Sequence, residues 1–330
     1  MLSDMPCIRE KGGLMVSLNL HAKRQYPFNL ITVLGATASG KTRLAVALAR
    51  RFGGEIISAD SRQVFRGMDI GTGKDLHEYG EISYHLIDIL EPGDECNVFS
   101  FQRLFMQAFA DITARNNMPL LCGGTGLYLD AVLRGYQMVE VPENTALRAE
   151  LADKSMAELT DLLWKLAPQQ HNRTDLTDRN RTIRAIEIAT AAAQAGRTAA
   201  PFPAIRSVVI GIHWEREALR RRITERLRQR LAAGMLAEVQ QLHAAGVSWE
   251  QLDYYGLEYR FVAAYLRGEL TFNDMFQKLN SAIHGFAKRQ GTWFRRMEKQ
   301  GVAIHWIAGA GNPVAEAIEL LQGMLEEVQC

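Results

Sequence analysis

The sequence predicts an α/β fold in which a parallel sheet is joined to a helical insertion. Short apolar runs recur along the chain and alternate with segments of helix length, as in β-α-β units. A glycine-rich turn connects the first apolar run to the first helix-length segment. Between residues 135 and 204 the apolar runs give way to helix-forming residues, with apolar side chains at three- and four-residue spacing.

The predicted strands are the six apolar runs at residues 29–34, 55–58, 85–90, 119–122, 208–212 and 302–307. Helices are predicted at 43–52, at 100–116, in a long basic segment at 215–241, and through most of 247–299. We therefore divide the chain into a core of residues 27–134 and 205–330 and a helical insertion of residues 135–204. Residues 1–26 are predicted to be an N-terminal extension, with disorder as one interpretation.

The composition restricts the class of protein. The 330 residues are 47% hydrophobic and 23% charged, which is typical of a globular protein. The net charge is +1, so the placement of basic residues must indicate any polyanionic partner. Four scattered cysteines without a C-x-x-C pair predict a reducing, cytoplasmic environment. No apolar run approaches the roughly 18 residues of a membrane span, so we expect no membrane partner, and we expect a monomer.

Residues 35–42, GATASGKT, match the phosphate-binding pattern G-x-x-x-x-G-K-[ST] between a predicted strand and a predicted helix. In this context, backbone N–H groups and the positive end of the helix face an anion. Lys41 is predicted to contact phosphate oxygens, and the Thr42 hydroxyl to hold a Mg²⁺ ion shared with them. The alternative is a glycine turn with an exposed lysine. The candidate phosphate-binding residues are Gly35, Ala36, Thr37, Ala38, Ser39, Gly40, Lys41 and Thr42.

Asp60 ends the second predicted strand, at the edge where ligands of open α/β sheets bind. A carboxylate at this position suits either a metal-binding role or a general-base role. Polar residues beside it could read a base edge, and residues 71–74 could approach a phosphate, with turn chemistry as the alternative for both. The polar residues beside Asp60 are Ser61, Arg62 and Gln63.

Two further regions are candidates for the site. After the fourth predicted strand, GGTGLY at residues 123–128 places the Thr125 hydroxyl at the same edge of the sheet, where a helix cap is the alternative role. The segment 215–231 contains seven arginines, most of which could form a solvated helix face. The residue pattern alone does not single out Arg226 among them.

Two segments mix basic and flat side chains, as sites for displaced bases and phosphates do. The alternative is a solvated basic face with Trp293 in the core. The first segment consists of Asn180, Arg181, Thr182, Ile183 and Arg184. The second contains Lys288, Arg289, Gln290, Thr292, Trp293 and Arg295.

Taken together, GATASGKT, DSRQVFRGMDIGTGK and GGTGLYLDAVL resemble the tRNA dimethylallyltransferase family. The similarity continues through DRNRTIRAIEI, RRITERL, YRFVAAYLRGEL and KRQGTWFRR, and it covers nearly all of the chain between residues 29 and 307. It implies a family member of the bacterial type. Its core would be P-loop NTPase-like, and its phosphate loop would hold dimethylallyl diphosphate. The bound phosphates would then be the leaving group of an alkyl transfer.

The resemblance also implies roles for individual residues. Residues 37–42 and Arg226 would hold the diphosphate with Mg²⁺, and Asp60 would act as the base on the N6 amine of adenosine 37. Thr125 joins Asp60 and Arg226 in the implied catalytic set. Neutralising the departing diphosphate and polarising a weakly nucleophilic amine are the two tasks that such a transfer requires.

The implied partner is the anticodon stem-loop of tRNAs that read codons beginning with U, and the target base must leave its stack. The insertion is expected to contact the tRNA. The implied tRNA-binding residues are Asp60, Ser61, Arg62, Gln63, Thr125, Asn180, Arg181, Thr182, Ile183, Arg184, Lys288, Arg289, Gln290, Thr292, Trp293 and Arg295.

Glu258 departs from the family pattern, which commonly has glycine before the tyrosine of this segment. An acid on a tRNA path repels phosphate unless it is paired, for example with Arg260, so a role of residues 254–260 in contacting tRNA depends on such a pair. Three alternative functions stay open. They are a P-loop small-molecule kinase, a prenyltransferase acting on AMP or ADP, and an ATP-gated RNA-binding module. The insertion and the basic C-terminal helices favour a macromolecular acceptor.

Overall fold

The structure is a computed structural model that describes residues 26–136, 141–168, 176–194 and 202–326. Its sheet has six parallel strands in the order β3-β2-β4-β1-β5-β6, which confirms the α/β prediction. The strands are β1 (Leu30–Gly35), β2 (Gly54–Ala59), β3 (Tyr84–His85), β4 (Met118–Gly123), β5 (Ser207–His213) and β6 (Ile304–Ala308). The central strands β2, β4, β1 and β5 are buried along almost all of their length.

Twelve α-helices and a short 3₁₀-helix at Leu76–Glu78 occupy the described part of the chain. The helices before the insertion are α1 (Lys41–Phe52), α2 (Val98–Ala114) and α3 (Gly126–Leu133). Those of the insertion are α4 (Thr145–Leu151), α5 (Met156–Leu166) and α6 (Arg179–Gln194). The remaining helices are α7 (Arg216–Ala232), α8 (Met235–Ala244), α9 (Trp249–Tyr254), α10 (Leu257–Leu266), α11 (Phe272–Lys299) and α12 (Pro313–Glu326).

Two predicted elements differ from the structure. The strand predicted at 85–90 is only Tyr84–His85, because Leu86 and Asp88 adopt left-handed backbone angles with φ of 62° and 55°. The chain there turns away from the sheet, although Leu86 and Ile87 stay buried. The helix predicted at 215–241 is two helices, α7 and α8, because Gly234 between them has φ of 102°.

The sheet separates two apolar cores. Successive side chains of β1 point to opposite faces of the sheet and pack into one core or the other. Ile31 and Val33 pack with α1 and α12, whereas Leu30 and Leu34 pack with α2, α3 and α11. A third core joins α7 to α11 with the segment after β2. The insertion has a small core of its own, which consists of Leu151, Leu159, Leu163, Ile183 and Ile186.

The two ends of the insertion meet at the edge of the core. A Cβ atom on Gly135 would lie 3.4 Å from Cδ1 of Phe202, so the chain leaves and returns at nearly one place. The predicted N-terminal extension lies outside the described residues except for Tyr26, as do parts of the predicted insertion. No helix of the described ranges is both long enough and apolar enough to cross a bilayer.

Candidate active site and nucleic-acid interface

A cavity of about 1650 Å³ opens where β1, β2 and β4 end. These strands are neighbours in the sheet, so the loops that follow them lie side by side. Side chains from α7, α11 and the segment before α10 complete the walls, and Arg181 of the insertion reaches the mouth. The volume exceeds the roughly 300–1000 Å³ of a typical small-molecule pocket.

The phosphate loop has the backbone conformation that its glycines predict. Gly40 and Ala38 adopt left-handed angles, with φ of 91° and 62°. The N–H of Ser39 donates to the Ala36 carbonyl over 3.2 Å and closes the turn. A Cβ atom on Gly35 would lie 2.5 Å from the Ser39 hydroxyl oxygen, so only glycine fits there. The loop is therefore shaped to wrap an anion at the start of α1.

Two residues that lie far along the chain, after β5, hold the phosphate loop in place. The Trp214 indole N–H donates to the Ser39 carbonyl, and the Arg222 Nε–H donates to the Ala38 carbonyl, both over 2.9 Å. The Arg222 guanidinium also lies 4.2 Å from the centre of the Trp214 ring. Because these bonds engage two loop carbonyls, they fix the peptide orientation on which the anion site depends.

Lys41 and Asp60 line the floor of the same cavity, beside Cys122. Burial lowers the pKa of Lys41, and the nearby Asp60 carboxylate opposes that shift. Burial raises the pKa of the Cys122 thiol to about 12, so this cysteine is protonated at neutral pH. The Thr42 side chain also lines the cavity.

The segments after β2 and β4 are joined by hydrogen bonds. Asp60 Oδ1 accepts from the Arg62 N–H over 2.9 Å, which leaves the second carboxylate oxygen of Asp60 without a bond to Arg62. The Thr125 hydroxyl oxygen accepts from the Ser61 N–H over 3.0 Å. The structure thus brings together Asp60, Ser61 and Thr125, as the sequence predicted that their strands would.

Three arginines on one face of α7 point into the site at a spacing of four residues: Arg222, Arg226 and Arg230. Arg226 forms an ion pair with Asp75 and donates to the Gly73 carbonyl over 3.3 Å. It lines the same cavity as Lys41, so both cations can face one diphosphate.

Glu258 pairs with Arg230 at 3.2 Å, and not with Arg260. Arg260 instead lies over the ring of its neighbour Phe261, at 5.2 Å. Burial raises the pKa of Glu258, while the charge of Arg230 opposes the shift. The acid is therefore paired, but by a residue at the end of α7 that is distant in sequence.

Gln63 and Lys74 bond within the protein. The Gln63 carboxamide accepts from the Ser58 hydroxyl over 3.0 Å and donates to the Gly73 carbonyl over 3.2 Å. The Lys74 ammonium is buried and pairs with two carboxylates, those of Asp69 and Asp88. For residue 74 the structure favours turn chemistry over phosphate binding. Whether Gln63 also reads a base stays a prediction.

Gln290 connects α11 to two loops of the site. Its side-chain oxygen accepts from the Thr37 N–H over 2.8 Å, and its amide N–H donates to the Gly124 carbonyl over 2.9 Å. One turn further along, the Trp293 ring packs against Gly126, where any Cβ atom would collide with the indole. Trp293 lines the cavity and also packs, partly buried, against the core formed with α2 and α3, so both interpretations stay predictions.

The predicted basic segments are partly exposed and partly buried. Lys288, Arg289, Thr292 and Arg295 lie exposed on α11, and Asn180 and Arg181 lie exposed at the start of α6. Thr182 and Ile183 are buried among the insertion helices, and Thr182 donates to the Asp178 carbonyl over 2.8 Å. Arg184 pairs with Glu187 at 2.9 Å. The buried pair is a correction to the prediction, because their side chains are not available to a tRNA.

Comparison with known proteins identifies the family. A family model described as "IPP transferase" matches residues 63–297, and one described as "Isopentenyl transferase" matches residues 28–81. The chain belongs to the IPP transferase family. A "tRNA dimethylallyltransferase 2" from Trichlorobacter lovleyi is 70% identical over 89% of this chain and 97% of its own length. A relative of the same name from Pelobacter propionicus is 67% identical, over 88% and 93%.

Solved structures of IPP transferases have the same fold. The full-length tRNA isopentenylpyrophosphate transferase of Bacillus halodurans superimposes with a TM-score of 0.66 at 31% identity, covering 91% of this chain and 97% of its own. A eukaryotic dimethylallyltransferase described as acting on tRNA has a TM-score of 0.63 at 20% identity, covering 85% and 74%. The P-loop NTPase-like core that the resemblance implied is therefore confirmed.

Mg²⁺ fits the oxygen donors of this site. Within the described ranges, no three His, Cys, Asp or Glu side chains form a group that could hold a metal by themselves. Mg²⁺ is commonly bound through one or two protein oxygens together with substrate phosphates and water. The Thr42 hydroxyl, and the Asp60 carboxylate across the cavity from it, are oxygen donors of this kind.

Proposed function

We propose that this IPP transferase moves a dimethylallyl group from dimethylallyl diphosphate to N6 of adenosine 37 in tRNAs that read codons beginning with U. The products are N6-(dimethylallyl)adenosine and diphosphate. The observation that carries the proposal is one cavity whose lining combines the phosphate loop and Lys41 with the nearby Asp60 carboxylate. The names of relatives up to 70% identical support the same activity.

The donor side of the site neutralises a leaving group. Residues 37–42, the Lys41 ammonium and the Arg226 guanidinium are proposed to hold the diphosphate, and most of them line the cavity. The N–H groups of Thr37 and Ser39 already bond to Gln290 and Ala36, so the N–H groups at the start of α1 are the ones that face the anion. Charge that grows on the diphosphate as the allylic C1–O bond breaks is stabilised by these fixed cations and dipoles. A Mg²⁺ ion held by the Thr42 hydroxyl would supply further positive charge when bound.

The acceptor side orients a weak nucleophile. The Asp60 carboxylate is fixed by its bond to the Arg62 N–H and faces the cavity. A carboxylate that accepts a hydrogen bond from the N6 amine raises the electron density of the nitrogen as the new C–N bond forms, and it takes the proton. The Thr125 hydroxyl lies on the same side and helps to place the adenine.

The anticodon stem-loop is the proposed partner, and the exposed cations of two elements support it. Arg181 from the insertion and Arg289 from α11 both reach the cavity mouth, so the insertion and the C-terminal helices lie on either side of one opening. An extruded base inserted between them would reach Asp60. We further propose a cytoplasmic monomer. Cys96 and Cys122 are free thiols, as expected in a reducing compartment.

The test is to incubate the protein with Mg²⁺ and labelled dimethylallyl diphosphate and to offer either total tRNA or AMP. Label in tRNA with stoichiometric diphosphate release is the expected result. Label in AMP would identify an adenylate prenyltransferase instead. Orthophosphate release from ATP without tRNA would identify a P-loop kinase or ATPase and contradict the proposal.

A further inference from the structure

Tyr254 presents an aromatic ring to the cavity without covering it. The residue ends α9 and lines the cavity wall, and 68% of its surface is exposed. Leu127 and Phe286 also line the cavity but are only 37% and 38% exposed, whereas Phe272 and Trp164 are exposed outside the cavity lining. The exposed Tyr254 ring is therefore free to stack on part of the RNA that is proposed to bind at this cavity.

The backbone that carries this ring is rigid. Ser248 and Gln251 form a capping box at the start of α9, so the short helix is fixed at its first turn. The next residue, Tyr255, is buried, packs edge-on against Phe65 at 4.8 Å and accepts a hydrogen bond from the Gly93 N–H. The buried Tyr255 and the capped helix therefore fix the backbone of Tyr254, while the Tyr254 ring stays exposed to solvent.

Arg62 adds a second flat group beside this ring. Its guanidinium carbon lies 5.2 Å from the centre of the Tyr254 ring. Within the described residues no ion pair engages this guanidinium, in contrast to Arg226 and Arg230, which have carboxylate partners. The same residue donates its backbone N–H to Asp60, so the flat pair lies next to the proposed base.

We propose that Tyr254 and Arg62 form a stacking site for a nucleobase that flanks the extruded adenosine. The proposal rests on the function proposed above. Extrusion of one base leaves its neighbour without a stacking partner, and proteins that bind single-stranded RNA cover such bases with aromatic rings and arginine planes. Asp60 is the proposed base for the target adenine, and Arg62 follows it by two residues in the protein sequence. A nucleobase stacked on Arg62 and Tyr254 is therefore a neighbour of the target and not the target itself.

The test measures binding of anticodon stem-loop RNA by fluorescence anisotropy. Three RNAs are compared: the intact loop and two loops with an abasic site on either side of the target adenosine. Removing a base–aromatic stack weakens binding by about tenfold, so Tyr254→Ala should lose about tenfold on the intact loop. On one of the abasic loops the same substitution should cost less than about twofold, because the stacking partner is already gone.

Two further variants exclude a structural explanation. Tyr254→Phe keeps the ring and should bind like the wild type. Phe272→Ala removes an exposed aromatic ring outside the cavity and should leave all three affinities unchanged. Two results would overturn the stacking site. One is that Tyr254→Ala weakens binding of the intact loop and of both abasic loops by the same factor. The other is that the Tyr254→Ala variant binds the intact loop as tightly as the wild type does.

The proposed function is tested separately, by prenylation of the intact loop with the wild-type protein. A wild type that binds RNA with the expected abasic pattern but transfers no label would refute the transferase and leave the stacking site supported. A wild type that transfers label while Tyr254→Ala shows no base-dependent loss would refute the stacking site alone.

Discussion

Asp60 is a residue whose two candidate roles can be separated by one substitution. Asp60→Asn keeps an oxygen for the Arg62 N–H, so the loop is expected to stay in place. The basic acceptor for the N6 proton is lost, and kcat should fall by about 10² or more with both substrates still bound. Single-turnover assays across a Mg²⁺ series provide the check, because recovery at high Mg²⁺ would identify Asp60 as a metal ligand.

We expect Lys41 and Arg226 to act on the donor and not on the RNA. Lys41→Ala and Arg226→Ala each remove a cation beside the proposed diphosphate position, so the KM for dimethylallyl diphosphate should rise about tenfold or more. The affinity for tRNA should change little, because Lys41 lies on the cavity floor. Gel-shift titrations measure this second quantity, and an equal loss of tRNA affinity would contradict the division of roles.

The conformation of the phosphate loop was predictable from sequence, whereas the residues that hold the loop were not. The loop is a local pattern, and residues 35–42 carry it within eight positions. Its supports come from far along the chain, 175 residues away for Trp214, 184 for Arg222 and 253 for Gln290. Without a fold, no spacing rule connects such positions, and the pairing of Glu258 with Arg230 is likewise invisible in the sequence.

At the scale of elements, α11 supports the phosphate loop through Gln290 and carries the exposed cations proposed to bind RNA. Gln290→Ala would break the bonds to Thr37 and Gly124 and loosen two loops at once. We expect a several-fold higher KM for the donor and a lower kcat, by about tenfold, since misplacement of catalytic groups is costly. Steady-state kinetics with varied donor measures both constants.

Lys288→Ala is the matched control for Gln290→Ala, because Lys288 lies two residues earlier and is exposed. It should weaken tRNA binding and leave the donor KM unchanged. If Gln290→Ala instead reduced only tRNA affinity, the direct RNA contact predicted from sequence would be the better interpretation of Gln290.

The insertion helices are held by a titratable network around Glu187. Desolvation opposes ionisation of this buried carboxylate, but hydrogen bonds from Arg148 and Arg184 outweigh it and lower the pKa to about 2. The stabilisation is therefore complete above the unfolded-state pKa of about 4.3. It is lost as the pH falls from there through about 2.

Glu187→Gln should lower the free energy of unfolding of the insertion by about 2 kcal/mol at neutral pH. The difference from the wild type should shrink as the pH approaches 2, because the wild-type carboxyl then takes up a proton. Circular dichroism melts at neutral and acidic pH measure it, with Glu150→Gln on the exposed side of α4 as the control. A difference that is independent of pH would assign the effect to packing.

Among the elements, the buried strands and long helices were predicted within a few residues, because their apolar periodicity is strong. The third strand was wrong for a backbone reason, since an apolar run does not show that Leu86 and Asp88 take left-handed angles. The break between α7 and α8 had a visible signal in Gly234, which the continuous helical pattern outweighed. The helix α12 was not predicted.

For the molecule as a whole, tRNA affinity should depend on salt while donor affinity depends on it far less. Each phosphate contact that is lost reduces the slope of log K against log salt by about 0.7–1. Arg181→Ala and Arg289→Ala should each show this reduction, since both reach the cavity mouth. Lys278→Ala, an exposed lysine of α11 outside the cavity lining, should leave the slope unchanged. Filter-binding titrations at several salt concentrations give the slopes.

Because Gly135 and Phe202 lie close together, the sequence of the insertion and that of the sheet are expected to change independently in evolution. Because the insertion leaves and rejoins the core at one place, it adds no constraint to strand order or register in the sheet. Substitutions, insertions and deletions within it can alter which RNAs are accepted while the diphosphate chemistry at β1 stays as it is. A duplicated copy of such a gene could therefore acquire a new set of tRNA substrates without losing its alkyl donor.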